Sequence, residues 1–136
     1  MFEVTFVPIL VASLVSLFIG FIWYHPKVFG TIWMRGAGIP PEKMEVNKKR
    51  MPLMAFFGFL ASMVVAYVMN HFGIAWGVYD WIGGIELGFW IWAGFVAPVL
   101  LGSMLWESKP FSYFLINATQ WLVSLIAMAL TLVLLA

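Results

Sequence analysis

The side chains of this chain with the means to do chemistry are few, and most fall in two short stretches. "WYHPKVFGTIWMR", residues 23–35, carries His25 and Arg35 among aromatics; "WESKPFSYFLINATQ", residues 106–120, carries Glu107, Lys109, Tyr113, Asn117 and Gln120. A histidine, a carboxylate, a phenol and an amide brought together are components of acid–base chemistry, on a lipid headgroup for example. Neither a nucleophile–base pair nor a metal-ligand spacing accompanies them, and the chain has no cysteine to act as nucleophile or thiolate ligand. The reading is therefore a protein that is not an enzyme and needs no cofactor and no metal. His25 by itself reads as a helix cap or a headgroup contact.

What must position these residues follows from composition. Of the 136 residues, 64% are hydrophobic and only 10% are charged, with a mean hydropathy of +1.01. A core built in water would need more polar surface than this chain owns, so lipid must cover most of it. The expected fold is an all-α membrane protein, a single transmembrane domain over residues 1–136. A hydrocarbon core of roughly 30 Å takes about 20 helical residues at about 1.5 Å each. Four stretches qualify, near 4–24, 52–71, 85–106 and 111–135. Pro52 suits a first helical position, Pro98 should kink the third span, and Pro110 precedes the fourth.

Orientation is read from the bases. Lys27, Arg35, Lys43, Lys48, Lys49 and Arg50 lie in the connector 25–51, and Lys109 lies between spans three and four. The remaining connector, "FGIAWGVYDWIGG", has none. The positive-inside rule then makes both basic connectors cytoplasmic and leaves both termini outside the cell membrane. Trp76, Tyr79 and Trp81 would form the outer aromatic belt. Trp23, Tyr24, Phe29, Trp33 and Trp106 are the expected inner interfacial anchors.

Within the connector, Val28, Phe29, Ile32 and Trp33 fall on one face of a helix starting at Pro26, with Lys27, Thr31 and Arg35 on the other. That pattern predicts a short amphipathic helix lying in the interface after the first span, ended by Gly36 or Gly38. The polar run "PPEKMEVNKKR" then reads as a turn or as a short helix with acids early and bases late, matching the dipole. "GFIWYHPKVF" and "GSMLWESKPF" share Gly, Trp and Phe in similar places, which would set Trp23 and Trp106 at one depth and bring both chemical stretches to one cytoplasmic rim. There Arg35, with a bidentate fork, is the expected partner of Glu107.

Span four adds Ser124 and Thr131 to Tyr113, Asn117 and Gln120 in one helical stripe, which should face other helices because polar groups facing lipid are costly. Small residues mark close-contact faces, including Ser13, Ser16 and Gly20, Gly58 and Ser62, and the Gly84-x-x-x-Gly88 pair. So many such faces on four helices predict a homo-oligomer.

The stretch "GFIWYHPKVFGTIWMR", with "AYVMNHF" and "GFVAPVLLGSMLWESKPFSYFLINATQWLVS" further on, resembles the DUF1761 family over nearly the whole chain. The resemblance implies four membrane spans and supplies no activity. Two function classes follow from the residues. One is a self-associating, non-enzymatic module that contacts anionic membrane lipids or a membrane-protein partner through its basic loop, with no role for nucleic acid. The other is a small oligomeric transporter or channel subunit for a neutral or anionic solute, using the span-four stripe. Proton exchange is disfavoured, because Glu86 lies near the outer end of span three and Glu107 beyond the inner end.

Overall fold

The computed structural model describes residues 4–136, apart from the side chains of Pro41, Met44 and Glu45. Helix α1 (Phe6–Trp23) is followed by a π-helical turn (Pro26–Gly30), helix α2 (Thr31–Ala37) and a 3-10 turn (Pro41–Lys43). Then come α3 (Met44–Ala75), α4 (Trp81–Ile91), a second π-helical turn (Trp92–Val96), α5 (Ala97–Leu100), α6 (Gly102–Leu105) and α7 (Phe111–Leu134). No strand occurs among the described residues. Among the described residues, four helical stretches are long and apolar enough to cross a membrane: Phe6–Trp23, Val46–Ala75, Trp81–Leu105 and Phe111–Leu134.

The second long helix starts earlier than its apolar stretch, and the third span breaks where Pro98 is expected to kink it. Helix α3 begins at Met44, so the polar run read as a turn or a short helix joins the second span as its first turns, and Pro52 lies inside the helix. The apolar stretch reports where lipid can cover the chain, whereas backbone hydrogen bonding continues into "NKKR" because Lys and Arg are good helix formers. In the third span, Pro98 has no N–H to give to the preceding turn. The α-helical register is lost just before it, over Trp92–Val96, and the span resumes as two short α-helical pieces.

Helix α7 is the centre of the bundle, touching α1, α2, α3 and α4. Of its span, 44% is buried, against 11% for α3, which therefore offers most of its surface to lipid. The core joins Ile9 and Ala12 of α1, Ala66 and Met69 of α3, Leu87 and Ile91 of α4, and Leu125, Met128, Ala129 and Leu132 of α7. Between helices in lipid the gain comes from van der Waals contact more than from the hydrophobic effect, so backbones must come close. Gly88 is where they do: a Cβ there would stand 2.8 Å from the Ile126 Cα and 2.9 Å from the Leu125 carbonyl oxygen. One turn away, a Cβ on Gly84 would meet Val133 Cγ2 at 3.2 Å. This glycine pair thus serves packing inside one chain. Gly20, Gly58 and Gly94, by contrast, face open space.

Candidate functional site

The end of the bundle that carries α2 brings together residues from both chemical stretches. Pro26 fixes the start of the π-helical turn, and the turn closes through the Gly30 N–H, which donates to the His25 carbonyl at 3.0 Å. Gly30 is required there, because a Cβ would collide with the Tyr24 carbonyl oxygen. The Lys27 N–H donates to His25 Nδ1 at 3.1 Å, so the histidine caps the turn as its sequence position suggested. Helix α2 stops at Gly38, whose φ of 74° lies in the left-handed region. There the Gly38 and Ile39 N–H groups return to the carbonyls of Arg35 and Met34 at 3.2 and 3.1 Å.

Aromatic side chains fasten this segment to α7. Tyr24 donates its hydroxyl to Asn117 Oδ1 at 2.6 Å, and Trp23 Nε1 donates to the Ile116 carbonyl at 3.0 Å. Trp33 lies edge-on to Tyr24, with ring centroids 5.2 Å apart, and stacks on Tyr113 at 6.4 Å. Phe29 rests on Trp23 at 5.0 Å. Gly36 lets α2 come this close, because a Cβ would stand 2.9 Å from Tyr113 Cβ. Burial, and secondarily the Tyr113 phenol, push Tyr24 above the usual tyrosine range, so it stays a neutral donor. The expected anchors Trp23, Tyr24 and Trp33 are thus also internal ties, while Trp106 remains 85% exposed.

The charged residues are arranged differently from the sequence expectation. Among the described residues Arg35 and Glu107 form no ion pair. The charged link between α2 and the bundle is Lys109, whose Nζ donates to the Ala37 carbonyl at 2.9 Å and lies 5.8 Å from the centre of the Tyr113 ring. A base at the C-terminal end of a helix is also favoured by the helix dipole. Arg35 points its charge into an exposed setting, as does Glu107. Ser108, between Glu107 and Lys109, takes a φ of 57°, which turns the chain sharply enough for the Lys109 N–H to reach the Ser103 carbonyl at 2.9 Å.

Glu107, Tyr113 and Asn117 do share a cleft, of about 330 Å³, with Ser103 and Trp106. Gln120 does not belong to it: it is buried, and its Nε2 donates to Ser124 Oγ at 2.8 Å. Thr131 likewise turns inward on its own helix, donating to the Ala127 carbonyl at 2.8 Å. The span-four stripe therefore divides into a deeper structural part and a shallower part that opens on the cleft. One tie went unread in the sequence: Trp92 Nε1 donates to the Ala118 carbonyl at 2.7 Å, across from the π-helical turn. Its only sequence signal is a Trp at mid-span, where the indole N–H needs an acceptor.

No group of three or more His, Cys, Asp or Glu residues that could hold a metal occurs among the described residues. A carboxyl, a phenol, a hydroxyl and an amide line the cleft, and the hydroxyl, that of Ser103, donates to the Leu100 carbonyl at 2.8 Å. No curated protein and no solved structure matches the chain. The family model described as "Protein of unknown function (DUF1761)" matches residues 7–133, and on that nearly full-length match the chain belongs to the DUF1761 family.

Proposed function

We propose that the protein is a multi-pass membrane module without catalytic activity that associates with itself and engages anionic lipid headgroups through its basic connector, with that connector cytoplasmic and both termini outside. The observation that carries this reading is the exposure of Lys27, Arg35, Lys43, Lys48, Lys49 and Arg50, all within one connector and the helix turns that flank it. Each such base near an anionic leaflet adds about 1 kcal/mol of attraction. The open faces at Gly20, Gly58 and Gly94 support self-association, since small residues let helices approach. The test is native mass spectrometry of protein extracted from mixed phosphatidylglycerol and phosphatidylcholine membranes. Wild type should retain phosphatidylglycerol preferentially, and the Lys48→Gln, Lys49→Gln, Arg50→Gln triple variant should lose much of that preference. Equal retention of both lipids by wild type would overturn the reading.

The cleft beside Asn117 favours a second reading, a small transporter subunit for a neutral solute. Its polar lining, Ser103, Glu107, Tyr113 and Asn117, sits at the end of the polar stripe of α7. Stopped-flow light scattering on proteoliposomes given a glycerol gradient tests it: swelling no faster than in protein-free vesicles removes this reading for that solute and leaves the first untouched.

A further inference from the structure

A second cleft lies at the opposite end of α4's span from the rim, and it is independent of the lipid reading above. Its volume is about 350 Å³, within the range of about 300–1,000 Å³ usual for small-molecule sites. Ile82, Gly83, Glu86 and Trp90 recur along α4 at helical spacing and form one wall; the α3–α4 turn supplies Trp76, Tyr79 and Asp80. Gly77, with a φ of 69°, turns the chain back over the helix. Gly83 leaves room for it, since a Cβ there would meet Asp80 Oδ1 at 3.1 Å and Val78 Cγ1 at 3.3 Å.

The chemistry of the lining is one-sided. Two carboxyl groups face it and no base does; indeed no Lys or Arg occurs anywhere between Arg50 and Lys109. Asp80 is partly committed, because its Oδ1 caps α4 by accepting the Gly83 N–H at 2.8 Å. Glu86 is not: it is exposed on the cleft wall in the second turn of the span Trp81–Leu105, where an acid without a counter-charge marks a site. Trp76, Tyr79 and Trp90 line the same cleft, and all are more than half exposed.

We propose that this cleft is a binding site for a small organic ammonium ion, held by the Glu86 carboxyl and the faces of Trp76, Tyr79 and Trp90. Aromatic faces attract such cations electrostatically and accept their apolar methyl or methylene groups. A hard inorganic cation would instead demand more oxygen ligands than the walls provide. The ammonium could be that of a choline or ethanolamine lipid headgroup or of a free solute, since the recognising chemistry is the same.

The test uses the full chain in an uncharged maltoside detergent, titrated calorimetrically with tetramethylammonium chloride at constant ionic strength against sodium chloride. Wild type should bind saturably, with sodium competing poorly. Glu86→Gln should weaken binding about tenfold or more, and Trp90→Leu should weaken it more than Trp90→Phe, which keeps a ring. Glu107→Gln, in the other cleft, should leave it unchanged. Unaltered melting temperatures of the Glu86→Gln and Trp90→Phe proteins guard against misfolding. Absence of saturable binding by wild type, equal competition by sodium, or unchanged affinity in Glu86→Gln would each overturn the proposal. More phosphatidylcholine retained by wild type than by Glu86→Gln, with phosphatidylglycerol retention the same in both, would identify a headgroup as the source; tetramethylammonium binding without such a difference would identify a free solute.

Discussion

Tyr24 and Asn117 stand 93 positions apart in the chain and are joined by a hydrogen bond of 2.6 Å from the phenol to the amide oxygen. The bond ties the end of α1 to α7 at the level where Trp33 and Tyr113 also stack. With its oxygen occupied by the phenol, Asn117 has its amide N–H groups to offer to the cleft that it lines.

Removing the hydroxyl should loosen that junction. Tyr24→Phe is expected to lower unfolding free energy in mixed micelles by about 0.5–1.5 kcal/mol, and Tyr24→Phe with Asn117→Ala should cost less than the sum of the two. The pH dependence has a definite sign. The folded state holds the Tyr24 proton more tightly than the unfolded chain does, whose phenol titrates near 10.0. The contribution is therefore fully present below that pH and declines above it. Thermal melting followed from neutral to strongly alkaline pH should fall less steeply in Tyr24→Phe than in wild type. Parallel curves would show that the proton on Tyr24 does not matter to the fold.

The tether of α2 to the bundle makes a second expectation, opposite to the one read from charge types alone. Lys109→Gln should lower the melting temperature by the equivalent of about 1 kcal/mol, since it weakens a charge-assisted hydrogen bond to the last turn of α2. Arg35→Gln and Glu107→Gln should each change it little, because exposed charges of this kind contribute about 0–1 kcal/mol. If the Arg35 and Glu107 variants lost stability and Lys109→Gln did not, the rim would be held by the pair expected from sequence.

Much of the molecule is legible in its sequence. Span number and aromatic punctuation are readable because lipid acts on each stretch locally, and hydropathy is summed along the chain. The inward turn of Gln120 and Ser124 was legible for the same reason: a helical period and the cost of polar groups in lipid decide it. Pairings across the chain were not. Whether Arg35 or Lys109 fastens α2 depends on the rotation of α2 on α7, and that rotation is set by Gly36 lying against Tyr113 and Pro110. The sequence shows Gly36 equally well as a helix terminator. The cleft around Glu86 is hidden in the sequence because its walls belong to separate patterns, the aromatics to a membrane belt and the acid to a span end, although Gly83, Glu86 and Trp90 share a face of α4.

Helix packing supplies a third expectation. Gly88→Ala adds a methyl within 2.9 Å of the α7 backbone, where nothing flexible can give way, and should cost about 1–3 kcal/mol. Gly58→Ala meets open space inside helix α3 and should leave monomer stability unchanged or raise it by up to about 1 kcal/mol, alanine being the better helix former. Unfolding titrations of the two variants side by side give the measurement. Equal, small effects would mean that α4 and α7 are not as closely apposed as described.

Topology gives the last prediction, and it bears on every site assigned above. The connector 25–51 holds six of the seven Lys and Arg residues and the α3–α4 turn holds none, an asymmetry that the positive-inside rule converts into a cytoplasmic rim and an outward-facing α3–α4 turn. Because the chain has no native cysteine, single cysteines can be introduced without background. In intact cells Gly77→Cys should react with a membrane-impermeant maleimide, whereas Lys48→Cys should react only after permeabilisation. Gly77 takes a φ of 69°, so Tyr79→Cys, 71% exposed on the same turn, is the companion variant that keeps the turn unstrained. Labelling of Lys48→Cys alone in intact cells would invert the molecule. The cleft of Glu86 would then meet the cytoplasm, and the basic connector would meet the outer leaflet, where the attraction to anionic lipid that supports the proposed function no longer applies.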